Sequence, residues 1–270
     1  MGSGQGRHGG RAMSAPAAEG VGGDVGAPIV RVQGLTKAHG EPPGAMEVLR
    51  GIDLELARGT FTCVMGPSGS GKSTLLHLIS GLDEPTAGTL ELDGQVLGRL
   101  SLAQRTLLRR RTVGYVFQFF NLLPNLSVTE NVALPLAIAG ERRAAAHAAV
   151  PALLERLGIA RRAAALPHQL SGGEMQRTSI ARALAGAQPL LLCDEPTGNL
   201  SQQAGLEVMH ALREVCDRDG RTVLLVTHNP RDATFADEVR FLVDGRIAEL
   251  VLRKPLRIED VHEALVRLAI

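Results

Sequence analysis

The chain has 270 residues, 44% of which are hydrophobic, so it can bury a substantial core and is not a disordered protein. Its net charge of +1, its lack of tryptophan and its single tyrosine leave neither the basic surface nor the stacking platforms that nucleic acid requires, which excludes nucleic acid as a partner. No segment approaches the roughly 20 apolar residues that cross a bilayer, so we expect no direct membrane span.

The N-terminal segment and the cysteines indicate the cellular compartment of the protein. Residues 1–27 are rich in glycine and alanine, lack the apolar core of a signal peptide and predict a disordered tail. The three cysteines, Cys63, Cys193 and Cys216, are widely spaced, and the first two lie in apolar runs. They are predicted to be buried small residues, not disulfide or metal ligands, which fits a reducing cytosolic setting.

Three segments near the N-terminus predict strands. Apolar residues recur at every second position in Ile29–Val32 and Ile52–Leu56, which is typical of half-exposed strands in a small antiparallel sheet. Gly59 ends this part of the chain. The apolar run Phe61–Met65 follows and predicts a further strand.

Residues 66–73 read Gly-Pro-Ser-Gly-Ser-Gly-Lys-Ser, which matches G-x-x-x-x-G-K-[ST], the phosphate loop between a strand and a helix. Its glycines permit backbone angles that turn amide N–H groups toward one centre, where the dipole of the next helix adds positive potential. Lys72 would reach the β- and γ-phosphates of a nucleotide, and Ser73 would hold Mg²⁺. The predicted nucleotide-binding residues here are Gly66, Pro67, Ser68, Gly69, Ser70, Gly71, Lys72, Ser73 and Thr74.

The segment after the phosphate loop predicts a hairpin, a helix and a strand. The short strand Thr89–Leu92 is closed by the turn residues Asp93 and Gly94. A helix with a basic end is expected over Leu100–Arg110. The strand Val113–Phe117 then leads into Gln118.

From residue 119 to about 170 the pattern becomes helical and rich in alanine, which predicts an inserted helical subdomain. Interruptions are expected at Pro124, Pro135, Gly140 and Pro151. Continuous apolar runs return at Leu190–Cys193 and Val223–Val226, as in buried parallel strands, so the core is an α/β sheet. Residues 258–270 show helical spacing and predict a packing helix, with a membrane-surface helix as the alternative.

Four further motifs follow the phosphate loop in a fixed order. Gln118 follows a strand, and residues 170–177 read Leu-Ser-Gly-Gly-Glu-Met-Gln-Arg at a helix start. Asp194 and Glu195 end one strand, and His228 ends the next. The chain thereby resembles an ATP-binding cassette (ABC) nucleotide-binding domain. The resemblance implies a P-loop NTPase (RecA-like) core with a small antiparallel β subdomain and a helical subdomain. The implied division is an ABC ATPase domain at 28–250, with the helical subdomain at about 119–170, and a C-terminal helix at 251–270.

The resemblance also implies what the motif residues do. It assigns Asp194 to Mg²⁺, Glu195 to polarising the attacking water, and His228 to the γ-phosphate. Gln118 would contact Mg²⁺ and the attacking water, and would also link to a membrane partner. The implied catalytic residues are Lys72, Gln118, Glu195 and His228, and the metal ligands are Ser73, Gln118 and Asp194.

The segment Ser171–Gly173 would act on ATP held by the opposite subunit of a homodimer. Ser171 and Glu174 also form a plain capping-box pattern, Ser-x-x-Glu before a helix. The two interpretations are compatible, because a capped helix N-terminus presents Ser171 and the amides of Gly172 and Gly173 to a phosphate.

Two positions depart from the family pattern. His39 stands where family members usually carry an aromatic residue that stacks on adenine, so base affinity is expected to be modest. Ser201 stands where an aspartate would help to link the two active sites of the dimer. It keeps a hydrogen-bonding group without the charge, which predicts weak coupling between the sites.

Two segments, residues 116–124 and 129–136, are similar to the lipoprotein-releasing and macrolide-exporter group of ABC ATPases. This similarity implies an integral-membrane permease as partner and a cytoplasmic position on the inner face of the membrane. The exported cargo would be lipoproteins, peptides or drugs. The alternatives are a cell-division ATPase that signals through a permease-like partner, and an ATP-binding module that hardly hydrolyses. A soluble translation or DNA-repair cassette is disfavoured, since those usually carry two cassettes or a long coiled-coil insertion.

Overall fold

A computed structural model of the chain describes residues 1, 26–40, 44–140 and 143–270. The predicted N-terminal tail lies outside these residues, apart from Met1 and residues 26–27. Strands in the described part are β1 (Val30–His39), β2 (Met46–Leu56), β3 (Phe61–Met65), β4 (Ala87–Leu92), β5 (Gln95–Val96), β6 (Val113–Val116), β7 (Leu190–Asp194), β8 (Thr222–Thr227), β9 (Glu238–Val243) and β10 (Arg246–Arg253). Helices there are α1 (Lys72–Ile79), α2 (Leu102–Thr112), α3 (Val128–Ile138), α4 (Arg143–Arg156), α5 (Gly172–Leu184), α6 (Gln202–Asp219), α7 (Pro230–Ala233) and α8 (Ile258–Arg267).

The smaller sheet is antiparallel, with the strand order β2-β1-β4-β5. Val30 pairs with Leu56 and Val32 with Leu54, so the two predicted alternating segments face each other in register. The pair β4 and β5 forms the predicted hairpin. Both predictions are confirmed, and β1 and β2 are longer than the alternation indicated because their pairing continues to His39 and Met46.

The larger sheet has the strand order β10-β9-β3-β8-β7-β6. Five neighbouring strands of this sheet are parallel to one another: β6, β7, β8, β3 and β9. Strand β10 is antiparallel to β9. Strands β3, β7 and β8 are buried along their whole length, which confirms the expectation from their continuous apolar runs. Because parallel strands end at the same edge, the residues that follow β3, β6, β7 and β8 meet there.

Each face of the larger sheet has its own core. Met65, Cys193 and Leu225 belong to the core with α3, α4, α5 and α6, and Val64 and Leu192 belong to the core with α1 and the smaller sheet. The described cysteines are free and buried, as predicted. Burial raises the pKa of each of these thiols, that of Cys216 to about 11.

The helical layer is built from α3, α4 and α5, which contact one another. The prediction that Pro135 and Pro151 interrupt this region is wrong, because they lie inside α3 and α4. An internal proline costs a helix about 3 kcal/mol through the lost hydrogen bond and a steric clash. Packing outweighs this cost: α3 buries Val132 and Leu136, and α4 likewise places apolar residues in the core.

The C-terminal segment packs back onto the larger sheet. Strand β10 pairs with β9 as far as Arg253, and α8 then contacts α7 and β10. Val261 and Ala264 of α8 are buried. The boundary at residue 250 falls inside β10, and the domain division stays a prediction. In the described ranges, no helix combines the length and the apolar character needed to cross a membrane.

Candidate active site

The phosphate loop connects β3 to α1 at the carboxyl edge of the larger sheet. Gly71 precedes α1 with φ +101, a left-handed backbone that favours glycine. A Cβ on Gly66 would lie 2.2 Å from the carbonyl oxygen of Leu242, so the loop packs too closely against β9 for any side chain there. The buried Ser70 Oγ has no hydrogen-bond partner in the described part of the chain. The loop therefore keeps a polar group available inside a tight backbone turn.

Lys72 lies at the start of α1 and is only 5% exposed. Its Nζ donates to the carbonyl oxygens of Gly66 and Pro67, each at 2.9 Å. The same nitrogen lies 3.6 Å from Oε1 of Glu195. The ammonium is therefore held in the concave side of the loop by backbone carbonyls and one carboxylate, which positions a positive charge where a phosphate would enter.

Ser73 and Asp194 bring two hard oxygen atoms together. Ser73 Oγ donates to Oδ1 of Asp194 at 3.0 Å. Asp194 ends β7 and is 8% exposed. Burial raises the pKa of this carboxyl group, and the hydrogen bond from Ser73 opposes that shift. Adjacent hydroxyl and carboxylate oxygens are donors of the kind that Mg²⁺ prefers.

Glu195 is held between two basic side chains. Its backbone has φ +42, a left-handed conformation unusual for glutamate, and its N–H donates to the carbonyl of Val226 at 2.9 Å. Oε2 lies 3.0 Å from Nδ1 of His228, on the side away from Lys72. The strained turn after β7 thus aims the carboxylate along the sheet edge.

Gln118 follows β6 and joins the same group of side chains. A Cβ placed on Gly198 would lie 3.5 Å from Gln118 Nε2 and 3.6 Å from Glu195 Oε2, so the amide and the carboxylate border one space. Asn199 Nδ2 donates to the Gln118 carbonyl at 3.1 Å and ties the two loops together. Six predicted site residues therefore meet at this edge: Lys72, Ser73, Gln118, Asp194, Glu195 and His228.

The segment Ser171–Gly173 is not part of that group. Glu174 N donates to Ser171 Oγ at 3.3 Å and Ser171 N donates to Glu174 Oε2 at 2.8 Å, which confirms the capping box. The Ser171 amide, followed by Arg162, lowers the pKa of Glu174 to about 2. Gly173 lies close to Ala204 on α6. The helix start is thus capped, and among the described residues no hydrogen bond joins it to the phosphate loop of its own chain.

The two departures from the family pattern have different surroundings. His39 is exposed at the end of β1 and pairs with Met46. Nearby on β2, Val48 Cγ1 lies 3.2 Å from the Cβ position of Gly71, so this strand end borders the phosphate loop. Ser201 is the N-cap of α6, where its Oγ accepts from Ala204 N at 3.4 Å.

Comparison with known proteins identifies the chain. The ABC transporter family matches residues 49–198, more than half of the chain and the part that holds the phosphate loop, Gln118 and Glu195. The chain belongs to the ABC transporter family. It carries the ATP-binding cassette, the ATPase component of that family, and the predicted fold and family are confirmed.

Relatives and solved structures agree with this assignment. The cassette is 46% identical over 220 residues to the lipoprotein-releasing system ATP-binding protein LolD 2 of Caulobacter vibrioides, covering 82% of this chain and 96% of the relative. It is 42% identical over 224 residues, 83% of its length, to the macrolide export ATP-binding/permease protein MacB 1/2 of Paracoccus denitrificans, of which it spans 33%. The ATP-binding cassette MJ0796, solved as a dimer in a post-hydrolysis state bound to ADP and Pi, matches with a TM-score of 0.78 and 36% identity. That match covers 84% of this chain and 100% of the solved one.

A role for Arg182, which contacts the loop after Gln118, was not predicted from the sequence. The Arg182 guanidinium on α5 donates to the carbonyls of Phe120 and Asn121, at 2.8 and 2.5 Å. Both of these residues have a left-handed backbone, with φ of +50 and +51, which costs on the order of 1–3 kcal/mol each. Arg182 therefore holds the strained loop after Gln118 against α5. Its signal in the sequence was an arginine inside an otherwise apolar run, Ile180–Leu184.

Proposed function

We propose that the cassette binds Mg-ATP at the edge of its larger sheet and hydrolyses it as a homodimer that drives a membrane permease. The observation that carries the proposal is that Glu195 contacts both Lys72 of the phosphate loop, at 3.6 Å, and His228, at 3.0 Å. A lysine of the phosphate loop and a residue that orients the attacking nucleophile are recurring parts of enzymes that transfer phosphoryl groups.

In this proposal each residue has a separate part. Lys72 and the loop amides bind the β- and γ-phosphates, and His228 orients the γ-phosphate. Glu195 orients the attacking water and accepts its proton, as its contacts with Lys72 and His228 keep it facing the loop. Ser73, Asp194 and Gln118 would hold Mg²⁺, which supplies charge neutralisation at the phosphates when bound. His39 would lie against the adenine.

The second copy would complete each site. The N-terminus of α5 is a capped helix start, and within the described residues the Ser171 hydroxyl bonds only to Glu174. Its hydroxyl and the amides of Gly172 and Gly173 suit an anion, and the phosphate loop of the same chain is not their partner. The dimeric state of the solved relative supports placing them on the γ-phosphate bound by the other copy.

The partner proposed for the dimer is an integral-membrane permease, with the cassette on the cytoplasmic face of the membrane. Phe119, directly after Gln118, is 70% exposed. A groove of 750 Å³ nearby is lined by apolar side chains from α3, such as Leu134, and by Arg109 of α2. The names of the relatives favour export or release of lipoproteins, peptides or drugs over cell-division signalling.

The test is to purify the cassette with a candidate permease and reconstitute both in proteoliposomes. We expect the permease to raise phosphate release, because its docking would complete the Gln118 loop. Replacing Phe119 with alanine tests the proposed contact, and it should weaken the stimulation and leave the basal rate of the cassette unchanged. Absence of any complex between the two proteins would contradict the permease assignment.

Replacing Ser201 with aspartate should raise the ATPase rate or its Hill coefficient. Aspartate is as good an N-cap as serine, so α6 stays intact while a negative charge returns at the proposed dimer interface. Coupling energies between sites are about 1–3 kcal/mol, which sets the expected size of the gain. The measurement is an ATP titration of phosphate release, with Ser201→Asn as the uncharged capping control. If aspartate changes neither quantity, the serine is a neutral replacement.

A further inference from the structure

A buried carboxylate outside the six-residue site links the two loops that carry Glu195 and His228. Asp232 lies in α7 and is 4% exposed. Its Oδ2 accepts hydrogen bonds from Thr197 Oγ1 and, at 3.4 Å, from Thr227 Oγ1, while its Oδ1 accepts from Asn229 Nδ2 at 3.2 Å. One side chain is therefore bound by donors from two separate segments.

The partners of Asp232 are adjacent to the proposed catalytic residues in the chain. Thr197 lies two residues after Glu195, and Thr227 and Asn229 flank His228. The Thr227 hydroxyl also accepts from Asn229 N at 3.0 Å, so the turn around the histidine is bonded internally. A shift of Asp232 would consequently move Thr197 relative to this turn, and with it the 3.0 Å contact between Glu195 and His228.

Burying a carboxylate at position 232 costs free energy of desolvation. Within the described residues, Asp232 forms no ion pair with lysine or arginine, and burial raises the pKa of its carboxyl group. An apolar side chain of similar size would avoid the desolvation cost of a buried acid. Packing does not replace the hydrogen bonds either, because a cavity of 350 Å³ lies beside them, lined by Thr197, Asn229 and Asp232 among others.

We infer that Asp232 is a positioning residue for ATP hydrolysis, which holds the loop of Glu195 and the loop of His228 in the relative position that the reaction requires. The inference rests on the proposed function. It assigns Asp232 no contact with ATP, water or the phosphates. Its effect passes through Thr197 on one side and through Thr227 and Asn229 on the other.

The experiment compares Asp232→Leu and Asp232→Asn with Thr197→Val and Thr197→Ser in the full chain. Because misplacement by about 1 Å can cost 100-fold in rate, we expect kcat to fall about tenfold or more in Asp232→Leu and Thr197→Val. The Kd for ATP should stay within about twofold, since no phosphate contact is removed. Thr197→Ser keeps the hydroxyl and should restore the parental kcat.

The double variant Thr197→Val with Asp232→Leu separates positioning from general stability. If both residues act through one hydrogen bond, its kcat should equal that of the worse single variant, and independent structural damage would multiply the two losses. Thermal unfolding is measured alongside, and Thr197→Val tests the inference even if Asp232→Leu fails to fold. A kcat within about twofold of the parent in Thr197→Val, or in Asp232→Leu that folds, would overturn the inference. Absence of hydrolysis by the parent would instead count against the proposed function.

Discussion

Replacing Lys72 with alanine is expected to abolish ATP binding, with a loss of affinity of about 100-fold or more. The Lys72 ammonium is buried in the phosphate loop and held by two backbone carbonyls, so its position is set before a nucleotide arrives. Charge-assisted hydrogen bonds contribute about 1.5–3 kcal/mol each, and about 1.4 kcal/mol corresponds to tenfold in affinity. The variant would also leave Glu195 without its cation, close to the incoming phosphates.

The measurement for Lys72→Ala is calorimetric titration with Mg-ATP. Lys254→Ala is the matched control, because Lys254 is 45% exposed, pairs with Asp237 at 2.7 Å and lies outside the phosphate loop. Its affinity for ATP should equal that of the parent. Thermal unfolding of both variants shows whether the fold is kept. Equal ATP affinity for Lys72→Ala and the parent would refute the assignment of residues 66–73 as the phosphate loop.

Replacing Glu195 with glutamine is expected to stop hydrolysis and trap an ATP-bound homodimer. Glutamine has nearly the same shape and can still contact His228, but it cannot accept a proton from the attacking water. Loss of a general base typically lowers the rate by about 10²–10⁴. All the proposed phosphate contacts remain, including those of Ser171 and Gly173 from the second copy, so the closed dimer should persist.

Light scattering of Glu195→Gln measures the trapped dimer directly. The mass should rise from the 28.6 kDa of one chain to twice that value when ATP is added, and only then. Glu249→Gln changes an exposed glutamate on β10 and should behave as the parent does. Because His39 is expected to stack weakly on adenine, saturation with ATP must be shown first. A monomer at saturating ATP would argue against shared sites.

Much of the fold could be predicted from local patterns in the sequence. The alternation in Ile29–Val32 and the continuous apolar run in Val223–Val226 reflect which faces of a strand are buried, and this is a property of neighbouring residues. The prediction for the prolines in α3 and α4 was wrong because it considered neighbouring residues alone. The local cost of these prolines is visible in the sequence, whereas the packing of Val132 and Leu136 that outweighs it depends on residues far along the chain.

Some residues of the candidate site could likewise be predicted from local sequence patterns, and others could not. Lys72, Asp194 and His228 could be found because each lies at or after the end of a strand, and parallel strands bring such positions to one edge. Arg182 and Asp232 could not, since each acts on a loop that is distant in sequence, such as the carbonyls of Phe120 and Asn121. No short motif describes a contact of this kind. The roles given to the site residues remain predictions until the variants are measured.

The measurement that tests the central claim most directly is steady-state phosphate release by the purified chain with Mg-ATP, compared with Glu195→Gln under the same conditions. The account predicts turnover by the parent, saturable in ATP, and a rate lower by about 100-fold or more in the variant. Equal rates for the two proteins, or no release by the parent alone and with its permease, would contradict the assignment of this sheet edge as an ATPase site.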